Sequence, residues 1–240
     1  MPSKMSVQLT GRIQNLVFYK LGDRYCVRTV PQKVKQTKAT KARGKQFGIA
    51  SRAGAGLRRQ LLPVIPFPSD NNMQTRLVTA IYRYLQSVEE IQPGQLDQLA
   101  YLDGFQFTNG YTIQERWKVA FQVTRDPESG LQLNIPAFVP VKNISAPAET
   151  VAVVCEISAA GFDRKTGNPT GGFSTSLSFR YNGDEVAPQV IPMPIPMPQG
   201  SVIVTGISLQ YQMMKDGHEA PVNKKAFMPA GIVSAMYLKD

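Results

Sequence analysis

The chain is 240 residues long and 42% apolar, enough to bury a real core in one large domain or two small ones, which excludes a disordered chain. Its net charge of +10 is uneven: 14 of the 27 Lys and Arg lie between Lys4 and Arg59, where Asp23 is the only acid, so the first 60 residues carry about +13 and the other 180 about −3. No window of 18 uninterrupted apolar residues exists to form a membrane-spanning helix, and Lys4 is followed by Gln8, Thr10 and Arg12 rather than by the apolar core of a secretory signal, so a cytoplasmic chain or one carried in a particle released without a leader is expected.

Residues 7–30 read as an antiparallel β-hairpin. Val7 to Arg12 leads to the β-rich run Leu16-Val17-Phe18-Tyr19, Leu21-Gly22-Asp23 marks a turn, Tyr25 to Val30 alternates with a period of two, and Pro31 ends it. Lys33, Lys35, Lys38, Lys41, Arg43, Lys45, Arg52, Arg58 and Arg59 follow, separated by small residues. Ala39, Ala42, Ala50, Ala53, Leu57 and Leu61 fall mostly three or four apart, which predicts a helix with a narrow small-residue stripe; the alternative is an extended arm ordered only within an assembly. Gly44, Gly48, Gly54 and Gly56 each cost such a helix about 1 kcal/mol relative to Ala. Gly44 and Gly48, four apart, would let another backbone approach closely, and a fixed partner would offset their cost. Leu61 to Pro68 carries three prolines and reads as an extended connector. Ser69 or Asp70 can then cap a helix over 71–88, where Met73, Leu77, Ala80, Ile81, Tyr84, Leu85 and Val88 repeat at helical spacing.

From residue 104 onward short β-rich runs recur between turn signals, at 105–107, 117–123, 131–135, 151–157, 176–181, 201–211 and 232–238. They predict a mainly β protein with a small α part, whose C-terminal body is an immunoglobulin-like antiparallel β-sandwich. The expected domains are 1–100, a basic hairpin, arm and helical region, and 101–240, the sandwich. In Ile191 to Pro198 every second residue is proline, so that strip cannot donate to a ladder on one side. It is expected at a sheet edge or as a surface arm, where it blunts the edge or binds a partner protein along Pro192–Pro198.

Little points to catalysis. The single histidine, His218, sits in the turn sequence Lys215-Asp216-Gly217-His218-Glu219 and reads as a solvated loop residue. Cys26 and Cys155 lie in apolar, strand-like settings that suggest buried reduced thiols rather than a bridge or a reactive site. Gly161 to Gly172 is glycine-rich but lacks the GxxxxGK[ST] order of a phosphate loop and reads as a long hairpin loop. Glu89, Glu90, Asp97 and Asp103 read as solubilising charge. No His/Cys cluster or repeated carboxylate spacing suggests a metal. The expectation is a non-enzyme with no catalytic residue, no cofactor, no metal and no small-molecule substrate.

The opening segment resembles a family. Gly11-Arg12-Ile13-Gln14-Asn15-Leu16-Val17-Phe18-Tyr19, Val27-Arg28-Thr29-Val30-Pro31 and Val34-Lys35-Gln36-Thr37 look like an uncharacterised Bacteroidetes family, a domain of unknown function in which a GxIxNxVFY hairpin precedes an RxxPxxVK segment and a helix, with a β-rich C-terminal part. The likeness covers about the first 90 residues. It implies the two-part organisation and no site residues.

Two functions fit this pattern. The first is a structural protein that self-associates into a homo-multimer, whether filament, shell or virion-like particle, through its basic N-terminal segment; removing residues 1–60 is then expected to leave a soluble β-rich monomer. The second is nucleic-acid binding, with the Lys33–Arg59 tract on phosphates and Tyr19, Tyr25 or Phe47 stacked on bases. No RRM, KH, zinc-finger or helix-turn-helix signature favours the second.

Overall fold

The structure, a computed structural model, describes residues 9–30, 36–67, 70, 72–90, 101–108, 110, 112–126, 130–222 and 227–238. Two compact units divide within the first turn of a long helix, at Met1–Lys41 and Ala42–Asp240. The protein is mainly β with a small α part, in antiparallel sheets.

The first unit contains a three-stranded meander, β1 (Gly11–Ile13), β2 (Leu16–Leu21) and β3 (Arg24–Thr29), where a two-stranded hairpin is expected. The extra strand arises because the chain reverses at Gln14-Asn15, with Gln14 at φ +50°, a conformation no glutamine advertises in sequence. The second turn, Gly22-Asp23, places glycine at φ +61°, as a two-residue hairpin turn favours. Residues directly opposite share a face. One face therefore carries Ile13, Leu16, Phe18, Tyr25 and Val27 with Lys20, and the other carries Arg12, Arg24 and Arg28 among Val17, Tyr19, Leu21 and Cys26.

The second unit is built on a five-stranded sheet. β6 (Thr150–Asp163) lies between β7 (Pro169–Arg180) and β9 (Ser201–Lys215), and the far side of β9 pairs first with β11 (Ala230–Tyr237) and then with β10 (His218–Pro221). A smaller sheet runs β4 (Gln122–Asp126), β5 (Gly130–Ile135), β8 (Gln189–Met193). The pleat sends Leu131, Leu133 and Ile135 of β5 into one core with Val153, Cys155, Ile157 and Ala159 of β6 and Ile203, Ile207, Leu209 and Tyr211 of β9. That two-sheet core is sandwich-like.

The opposite face of the large sheet presents Ala160, Phe162, Val202, Val204, Ala230 and Ile232 to the helices. α1 (Lys38–Gln60) meets them with Ala50, Ala53 and Leu57, and α2 (Met73–Glu90) with Leu77, Ile81, Tyr84 and Leu85. The helices thus share a core with the sheet. Ala42 to Gln60 of α1 thus belong to the same compact unit as the sheet they pack on.

Local rules account for the ends of these elements. Thr37 caps α1, its hydroxyl accepting from Thr40 N–H at 3.1 Å. Asp70 precedes α2 and takes Asn72 N–H at 3.1 Å and the Arg76 guanidinium at 2.9 Å. The strand expected over 117–123 begins only at Gln122. Thr112 and Glu115 form a capping box that starts one helical turn, α3 (Ile113–Arg116), and Trp117 is left as an isolated bridge to Ile144. The long loop expected over 161–172 is mostly strand, since Gly161 and Phe162 are buried within β6 and Gly171 and Gly172 pair back onto it from β7. The proline strip takes an edge position in β8, Pro192 lying opposite Gln132, with Met193 and Ile195 buried beneath. A second short helix, α4 (Pro140–Asn143), completes the connection to β6.

Candidate functional site

The feature that gathers charged side chains is α1. At 3.6 residues per turn, Lys38, Lys45, Arg52 and Arg59, each seven after the last, fall with Lys41 within about one sixth of the helix circumference. All five are exposed, and they line one side of α1 over about 32 Å. Arg43 and Arg58 are exposed elsewhere on the helix. Lys33 and Lys35 lie outside the described residues. The spacing of seven is legible in the sequence once the helix is phased by its buried residues Ala50, Ala53 and Leu57.

Beside the cationic line runs a strip of small residues, Gly44, Gly48, Ser51 and Ala55, at spacings of four, three and four. Among the described residues, a Cβ added to Gly44 or Gly48 would meet nothing within 4 Å. The glycines of α1 that pack within the chain are two others. A Cβ on Gly54 would stand 2.8 Å from Val78 Cγ2, and one on Gly56 would touch the Pro169 ring at 3.5 Å. The low helix propensity of Gly54 and Gly56 is offset by these approaches; that of Gly44 and Gly48 is offset by none among the described residues.

The β6–β7 turn adds two cations that sequence reading treats only as loop residues. Asp163 accepts from Thr166 N–H at 2.7 Å and from its hydroxyl at 2.6 Å, which curls the turn. Gly167, at φ +74°, then lies flat on α1, where a Cβ would come 2.4 Å from the Ile49 carbonyl oxygen. Arg52 reaches across to donate to the Thr166 carbonyl, 114 residues away in sequence. So anchored, the turn holds Arg164 over the Tyr237 ring at 4.6 Å from its centroid. Arg164 and Lys165 line a cleft of about 440 Å³ with Lys45, Gln46, Ala42 and Ile49 of α1 and Leu85 of α2. Nothing local in the sequence joins residue 45 to residue 164.

The aromatic residues expected to stack on bases belong to the meander and to α1. Tyr25 and Tyr19 project from opposite faces of the meander, Tyr25 with Lys20 at 5.9 Å and Tyr19 with Arg28 at 5.7 Å. Phe47 is 55% exposed on α1, its ring edge-on to Tyr82. His218 is exposed at the start of β10, just after a turn in which Asp216 and Gly217 both take positive φ. Cys26 is half-buried and Cys155 buried, both as free thiols. Burial, reinforced by neighbouring Glu156, pushes the Cys155 thiol well above its ordinary range and keeps it protonated. Burial also raises the Tyr211 hydroxyl, with Arg116 opposing the shift, and Tyr211 donates to the Ser145 carbonyl at 3.2 Å. Among the described residues no three His, Cys, Asp or Glu come together as a metal site. No described helix is long and apolar enough to cross a membrane.

No family model, no curated protein and no solved structure matches this chain.

Proposed function

We propose that this chain is a non-enzymatic structural protein that self-associates into a multimer, a filament, shell or virion-like particle, through its basic N-terminal segment. The observation that carries this reading is the open pair Gly44 and Gly48, continued by exposed Ser51 and half-buried Ala55, on one side of α1. Two glycines in a helix interior cost about 1 kcal/mol each relative to Ala, and a second backbone laid along the strip is what would offset them. The meander supports the same reading. Three strands with an apolar face are marginal unless that face is covered, and Ile13, Leu16, Tyr25 and Val27 are 53%, 41%, 42% and 55% exposed. A second copy of the chain is the occupant we assign to both surfaces.

Light scattering across the micromolar range tests this on the intact chain. Multimers are expected, and Gly44→Leu with Gly48→Leu, which fills space open in the monomer, should return a folded monomer. A wild-type chain that stays monomeric refutes the reading, as does a double variant that assembles normally.

The line of five cations favours a second reading, nucleic-acid binding, because a 32 Å row of like charge is a phosphate-tracking surface. On that reading Lys38→Gln, Lys41→Gln and Lys45→Gln together weaken DNA or RNA of any sequence and reduce the salt slope, about 0.9 per neutralised phosphate on duplex DNA, while Arg43→Gln and Arg58→Gln, off the line, change it little.

A further inference from the structure

We propose that the cleft between α1, the end of α2 and the β6–β7 turn is a binding site for a phosphorylated organic molecule of nucleotide size. Its volume of about 440 Å³ falls within the range of about 300 to 1,000 Å³ usual for small-molecule sites. Its described wall is chemically two-sided. Lys45 and Arg164 bring two cations to one side; Ala42, Ile49 and Leu85 form an apolar floor, and the Gln46 amide offers both a donor and an acceptor. Phosphate suits the cationic side, since a guanidinium presents paired donors to two phosphate oxygens and an ammonium adds a point charge. The organic part of the ligand would lie on the floor.

The cationic side is preorganised rather than a chance meeting of flexible side chains. Arg164 is stacked on Tyr237, and its backbone N–H donates to the Gly200 carbonyl at 3.1 Å. The turn that bears it is curled by Asp163 and tied to α1 by Arg52. Gly167 is required for the turn to lie against Ile49 at all. Tyr237 thus holds the guanidinium while the Gly200 carbonyl, Asp163, Arg52 and Gly167 hold the backbone that bears it, and fixing a donor before binding is what makes an anion site selective. This site shares Lys45 with the cationic line of α1 but uses neither Gly44, Gly48 nor the meander, the surfaces assigned to a second copy.

Isothermal titration of the full-length chain with ADP, at fixed ionic strength, tests the proposal, with citrate as a polyanion lacking phosphate and a 20-nucleotide oligothymidylate as polymeric phosphate. Saturable one-to-one ADP binding is expected, weakened at least about tenfold by Lys45→Gln and by Arg164→Gln and unchanged by Arg58→Gln, which lies outside the cleft. Lys45→Gln alters an exposed side chain and keeps the test decisive if Arg164→Gln disturbs the turn. Four results overturn the proposal: no saturation with ADP, citrate binding as tight as ADP, equal loss in Arg58→Gln, or binding by the oligonucleotide alone. Light scattering on the same samples reads assembly separately, so failure of the cleft and failure of the multimer are distinguishable.

Discussion

Gly167 and Glu156 are single positions whose replacement should change stability measurably. Gly167→Ala would combine a strained positive φ with a Cβ 2.4 Å from a backbone oxygen that cannot swing away. A loss of about 1 to 3 kcal/mol is expected in urea unfolding, with faster hydrogen exchange in residues 163–168 than elsewhere in β6 and β7. An unchanged midpoint would mean that the turn does not rest on Ile49. Glu156 sits half-buried on β6, opposite Ser176 of β7 and Ser208 of β9, and burial raises its carboxyl above the ordinary value. The folded chain therefore holds that proton more tightly than the unfolded chain does. This contribution is fully present below the unfolded value, about pH 4, and is lost as pH rises through the folded one. Glu156→Gln should accordingly be close to neutral near pH 4 and should raise Tm at pH 7.5. A difference in Tm that is the same at both pH values would assign the effect to packing instead.

At the scale of elements, α1 has two halves with different partners. Its second half is core, since Ala50, Ala53 and Leu57 are fully buried against the sheet, whereas Lys38 to Lys45 are exposed. A chain beginning at residue 37 should fold, with near-native β circular dichroism, while one beginning at residue 61 should aggregate. That corrects the expectation that residues 1–60 are dispensable; Leu57→Ala alone is expected to cost about 2 to 5 kcal/mol. If both truncations were equally soluble and cooperative in melting, the shared core of helix and sheet would be wrong. Much of this architecture was legible in the sequence. The helix expected over 71–88 runs from Met73 to Glu90, because its apolar spacing is regular and its face is buried. β5 and β9 alternate or run apolar as strands do. The hidden parts were those where a residue acts against its type or at long range: Gln14 in a left-handed turn, Trp117 as an isolated bridge although its flanks alternate like a strand, and β6 continuing through Ser158-Ala159-Ala160-Gly161 because small residues are needed where both faces are buried. The cationic tract could be read directly. The cleft could not, since Arg164 joins Lys45 only through a turn whose docking depends on backbone contacts.

For the whole molecule, the polarised charge makes salt the variable that separates the readings. Contact through the apolar face of the meander and the small-residue strip of α1 buries little charge, so multimers formed that way should persist from 50 mM to 500 mM NaCl. Phosphate tracking by α1 should instead fall steeply over the same range. Sedimentation of the full-length chain at both salt concentrations, with and without oligonucleotide, distinguishes them. A multimer that dissolves with salt in the absence of nucleic acid would contradict the apolar packing assigned to Gly44 and Gly48.

The spacing of Lys38, Lys45, Arg52 and Arg59 also fixes a handedness. Seven residues fall about 20° short of two full turns, so each cation is displaced sideways from the last, and the row winds as a shallow left-handed spiral with a pitch near 190 Å. A partner that winds in the same left-handed sense, either a flexible polymer or another helix coiling with α1, keeps its contacts in step with all four.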